Sequence, residues 1–107
     1  MNTIIVDSEV FRAFLRGQDT LKSYTPADRH YTSNEEIKRI SEALSLKAPE
    51  SAYDVERMRS MRNMVVLFYE EQLDHTERHS EQWENYWQAM MSVTTIIDHV
   101  SCGATAF

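Results

Sequence analysis

The chain has 107 residues, 42% of them apolar, and a formal charge of −6, enough for one modest core and too little for two. Two glycines and two prolines supply few turn residues, which disfavours sheets and loop-built active sites and favours long helices on short connections. The acidity argues against direct nucleic-acid binding through phosphate neutralisation, and the longest apolar run, Met64–Tyr69, is far short of a membrane span.

Residues 3–6 form a short β-favouring run. Asp7 then reads as an N-cap with Glu9 in the first turn, where the helix dipole favours a carboxylate. Val6 and Phe11 stand at hydrophobic-staple positions. Val10, Phe11, Phe14 and Leu15 make one apolar stripe, and Gly17 reads as a stop, so the first helix is expected over Ser8–Arg16. Residues 18–32 are then a connecting loop, with Thr25-Pro26 extended and Leu21, Tyr24 and Tyr31 pinning it to the core.

Ser33-Asn34-Glu35-Glu36 is a capping box. Ile37, Ile40 and Leu44 follow at helical spacing, which predicts a second helix from Asn34 to about Leu46, with Lys47 at its basic end and Pro49 beyond it.

From Ser51, another N-cap candidate, to Val100 there is neither glycine nor proline. Met58, Met61, Val65 and Phe68 share one face, with Val66, Tyr69 and Leu73 beside it. At Met64–Tyr69 the apolar character wraps round, which predicts a helix buried on most sides. A single helix over 52–100 would be roughly 73 Å long, beyond a compact domain of this size. The polar interval Asp74–Gln82 offers caps at Asp74, Thr76 and Ser80. The expected fold is therefore all-α, one domain of about four helices with the last two long and antiparallel. The alternative is one continuous helix covered by a second copy. In the last helix Trp83, Trp87, Met90, Thr94 and Ile97 recur at helical spacing. Gly103 reads as its terminal cap, followed by a loose tail over 103–107.

Few constellations carry chemistry. Glu71, His75 and His79 stand four apart, and two histidines at that spacing are weak metal-ligand candidates. The zinc-protease pattern is not met, however, because Glu77 follows His75 by two. His99 and Cys102 cannot complete a closed zinc site in a chain with one cysteine, and Cys102 lacks the base and electropositive surroundings of a nucleophile. With no phosphate-cradling loop or nucleophile elbow either, the expectation is a protein that is not an enzyme and holds no cofactor. The lone cysteine and the absence of a charged, apolar leader point to the cytoplasm.

The strongest signal is charge beside aromatics. Residues 1–49 carry seven basic and seven acidic side chains, so the net charge comes from the second half. Glu70, Glu71, Asp74, Glu77, Glu81 and Glu84 face only Arg78 among the basic residues of that block, and Trp83, Tyr86 and Trp87 adjoin them. Aromatic anchors with one-signed charge suit docking onto a basic surface of a larger protein. The expected role is to block or adapt that surface, for example the nucleic-acid groove of a host enzyme, in the manner of small acidic inhibitors carried by phage or mobile elements. A structural homodimer is the alternative. Arg57, Arg59 and Arg62, the one basic cluster, are expected to pair with the acidic half of an antiparallel neighbour.

Overall fold

A computed structural model describes residues 7–103. The chain forms four helices, α1 (Ser8–Ser23), α2 (Asn34–Ala43), α3 (Ala52–Asp74) and α4 (Glu81–Ser101), and no strand among the described residues. Each begins at a side-chain cap. Asp7 accepts the Glu9 N–H at 2.8 Å, and Ser51 and Ser80 accept the N–H groups of Asp54 and Trp83 at 3.2 and 3.1 Å. Ser33 accepts the Glu36 N–H at 3.2 Å while Glu36 Oε2 takes the Ser33 N–H at 2.9 Å, completing the capping box. These caps satisfy N–H groups that no helix can pair internally, so four polar residues set where every helix starts.

The helices close a ring, α1 against α2 and α3, α2 against α4, and α4 along α3. Arg62 meets Asp98 and Tyr69 meets Tyr86, so α3 and α4 run antiparallel. The molecule measures 41 × 38 × 21 Å, two helix diameters thick. At its centre Leu21, Tyr24, Ile40, Leu44, Val65, Tyr69, Val93 and Ile97 are fully buried. Two tyrosines bring polar tips into this core and both find partners. The Tyr69 hydroxyl donates to the Leu21 carbonyl at 3.0 Å, one of the carbonyls that the end of α1 leaves unpaired. The Tyr24 hydroxyl donates to Glu36 Oε1 at 3.2 Å, and burial pushes its pKa up to about 12.

Several expectations are corrected. Gly17 does not stop α1, which continues to Ser23, so residues 18–23 are helical and the connection narrows to 24–33. A Cβ at Gly17 would lie 2.7 Å from Leu44 Cδ2 and 2.9 Å from the Ala43 carbonyl oxygen. The residue is there for close approach of two helices, and burial of Leu21 outweighs its poor helix propensity. In the connection Tyr24 is buried as expected but Tyr31 is exposed. Helix α2 ends at Ala43, not Leu46, because Ser45 turns the chain at φ 54 and the Leu46 N–H bonds back to the Ser41 carbonyl. The long continuous helix does not form: α3 ends at Asp74 and Ser80 restarts the chain as α4.

Met64–Tyr69 is covered on most sides, as expected, but not all round: Val65, Phe68 and Tyr69 are buried, Met64 and Val66 half-buried, and Leu67 is 64% exposed. Of the three arginines, only Arg62 pairs with α4, at 2.9 Å from Asp98. Arg57 reaches Glu9 at 2.8 Å instead, and Arg59 pairs with Glu56 one turn away. Gly103, at φ +81, follows the Cys102 C-cap in the left-handed conformation expected of it. The run at 3–6, the Val6 half of the staple and tail residues 104–107 lie outside the described residues.

Candidate functional site

The site grows from the turn between α3 and α4. Helix α3 ends with the Thr76 hydroxyl donating to the Gln72 carbonyl at 2.6 Å. Residues Glu77–Ser80 then reverse the chain, with His79 in the left-handed region at φ 65. Because Ser80 caps α4 through the Trp83 N–H, Trp83 and Trp87 fall one turn apart on one edge of the helix. Their rings lie parallel, 1° from coplanar, with centroids 5.9 Å apart, an offset stack. The His79 ring sits 5.0 Å from Trp83 and extends the row, its Nδ1 3.4 Å from Glu84 Oε1.

Trp83 at the middle of this row is half-buried, and its two ends face outward. Trp87 is 40% exposed and Met91, one turn further, 49%. Across the hairpin Leu67 shares a face of α3 with Glu70, Glu71 and Asp74, three, four and seven residues on. A hollow of about 410 Å³ joins the two edges, with Glu70, Asp74 and Arg78 around Trp83. Glu81 and Glu84 instead line a groove on the other flank of α4, opposite Arg29 of the α1–α2 connection. The six carboxylates therefore form a rim around the hairpin tip, divided between two flanks. Tyr86 stands apart from the outer face: it is half-buried and packs on Tyr69 with centroids 6.4 Å apart.

The electrostatics of the tip are unfavourable to the fold. Glu70, Glu71 and Asp74 occupy the end of α3, which carries no basic residue in its last turn. Carboxylates there oppose the helix dipole, at about 0.3–1 kcal/mol each when exposed. Glu70, Glu71, Asp74, Glu77 and Glu81 form no ion pair with any described residue, and Glu84 meets only His79. Glu81 and Glu84, in the first turn of α4, are well placed.

The break at residues 75–80 separates His75, the C-cap of α3, from His79. Among the described residues no group of three or more His, Cys, Asp or Glu is placed to hold a metal ion. Nor is any helix among them long and apolar enough to cross a membrane.

Sequence reasoning missed Leu67 and Met91. Leu67 belongs to the apolar stretch expected to be buried, and only the packing of the other helices decides which side of such a stretch is left uncovered. Comparison with protein-family models, with curated proteins and with solved structures returns no match.

Proposed function

We propose that this is a non-enzymatic protein-binding module whose α3–α4 hairpin docks on a basic surface of a larger protein and blocks or adapts it. The observation that carries this reading is the Trp83–Trp87 stack, with Trp87 exposed, beside Glu70 and Asp74, which form no ion pair with a described residue. Exposed tryptophan is a frequent anchor of binding energy. Carboxylates at the wrong end of a helix destabilise the free protein, and a cationic partner would reverse that term. Steering by the field of the hairpin tip would raise the association rate and make it fall with salt.

The charge also weighs against a symmetric homodimer through this face. A two-fold contact sets the same patch on both copies against itself, which would bring Glu70 and Asp74 toward their own counterparts. A surface rich in Lys and Arg, such as a nucleic-acid groove, is the better match, with the module acting as an inhibitor of the kind carried by phage or mobile elements.

The test is affinity capture from host lysate with wild type, Trp87→Ala and Glu70→Lys/Asp74→Lys, each first shown to retain its helical circular dichroism. A specific basic protein held by wild type, lost above about 0.5 M salt and held at least about 30-fold more weakly by Trp87→Ala, supports the reading. Equal capture by all three folded proteins overturns it.

A further inference from the structure

A further concavity lies at the opposite end of the α3–α4 hairpin from its tip. Helix α1, the segment after α2 and the first half of α3 enclose a groove of about 550 Å³, within the range of small-molecule pockets. Val10, Ala13, Leu44, Met58 and Met61 line it, each otherwise buried. Its rim is polar, and the balance of charge there differs from the rest of the chain.

Arg12 and Arg16 stand one turn apart on α1 and Lys47 stands across from them, all exposed and lining the groove. None makes an ion pair with a described residue. Of the carboxylates along the rim, Glu9 is held by Arg57 at 2.8 Å, and Asp54 accepts the Glu50 N–H at 3.0 Å. Neither Asp54 nor Glu50 forms an ion pair with a described residue, so two unpaired carboxylates stand against three unpaired cations on the rim. Two further kinds of donor lie in the wall without a partner. The backbone N–H groups of Lys47 and Ala48 bond to no described residue. Arg57 Nε is buried without a hydrogen bond, its nearest carboxylate oxygen, Asp7 Oδ2, being 3.8 Å away. A buried N–H without a partner is costly, but this atom has no accessible surface, so the donors the groove offers a ligand are those of Arg12, Arg16 and Lys47.

We propose that this groove binds a small organic carboxylate, its apolar body on Leu44, Met58 and Met61 and its anionic head between Arg12, Arg16 and Lys47. The argument is charge complementarity over an apolar floor. Guanidinium groups and free backbone amides recognise carboxylate oxygens, the former in bidentate fashion, while the methionines adapt to the shape of the body. A cationic or neutral ligand would leave the rim donors unmatched.

The probe is decanoate, with decyltrimethylammonium as the same tail bearing the opposite charge. Calorimetry is expected to give one decanoate per chain, bound at least about tenfold more tightly than the cation. The folded Arg16→Glu/Lys47→Glu variant is expected to lose that preference. In wild type labelled at the methionine methyls, decanoate is expected to shift Met58 and Met61 and leave Met91 unmoved. Equal binding of both probes, no saturable binding, shifts confined to Met91, or decanoate affinity unchanged in the variant would each overturn the proposal. So would concentration-dependent dimerisation of the free protein abolished by Arg16→Glu/Lys47→Glu, which would make the occupant the acidic tip of a second copy.

Discussion

On α3, Phe68 and Leu67 are adjacent, equally apolar, and oppositely placed. Phe68 is 7% exposed and packs edge-on against Phe14 and Tyr69, with centroids 6.1 and 5.2 Å away. Leu67 is 64% exposed on the side that no other helix covers. The inner side of the hairpin carries the stability of the bundle, and the outer side carries apolar surface that stability does not use. An apolar residue that is not buried by its own fold is available to another molecule.

The comparison is sharpest at that pair. Phe68→Ala should cost about 3–5 kcal/mol, the transfer term plus the cavity left between α1 and α3, measured as a fall in the urea midpoint at constant slope. Stability unchanged within about 0.5 kcal/mol would place Phe68 outside the core and remove the distinction between the two sides.

The next effect concerns Glu36, which ties the α1–α2 connection down. Its Oε1 accepts the Ala27 N–H at 3.1 Å and the Tyr24 hydroxyl, and its Oε2 accepts the Ser33 N–H and hydroxyl. Burial acts to raise its pKa, but the hydrogen bonds from Ser33, Ala27 and Tyr24 together outweigh it, and the carboxyl is held below its ordinary value. A carboxylate with a depressed folded pKa stabilises fully above its unfolded value, about 4.3, and loses that contribution as the pH falls through the folded one. The thermal midpoint should therefore drop as the pH falls below about 5. Glu36→Gln, whose amide would aim N–H donors at other donors, should cost about 2 kcal/mol at pH 7 and flatten part of that drop. A pH profile identical to wild type would remove Glu36 as the anchor.

Gly17 measures how much of the inner packing was legible in the sequence. The helix starts were, because a cap is a local arrangement: Asp7, Ser33, Ser51 and Ser80 each bond within three residues. The end of α1 was not. Glycine is a good local stop signal, and only the closeness of Ala43 and Leu44 shows that it serves packing. The site was legible in the same uneven way. Trp83, Trp87 and the acids of the turn stand out as composition. That Tyr86 turns inward, that Glu81 and Glu84 lie on the other flank, and that Leu67 is left exposed all depend on where α1 and α2 sit. Gly17→Ala should destabilise by about 1–2 kcal/mol. Helix propensity returns roughly 1 kcal/mol, but the new methyl meets the Ala43 carbonyl, which is backbone and yields little. A gain in stability would mean that the two helices separate freely at this point.

The smallest expected effect is on the outer side. Leu67→Ser removes an apolar group that is largely in water already, Trp87→Ala one that is 40% exposed, and no hydrogen bond of the fold depends on either. Leu67→Ser should change stability by no more than about 0.5 kcal/mol, within the range of exposed substitutions. Trp87→Ala should cost about 1–2 kcal/mol, less than Phe68→Ala, since it loses one stacked neighbour, Trp83, and the covered part of its ring. Denaturation midpoints of the two variants beside that of Phe68→Ala settle the matter. Should Trp87→Ala cost as much as Phe68→Ala, the stack belongs to the structural core and the docking surface loses its anchor. A cost well below that of Phe68→Ala keeps Trp87 at the edge of the core, where its ring is free to serve as the anchor proposed above.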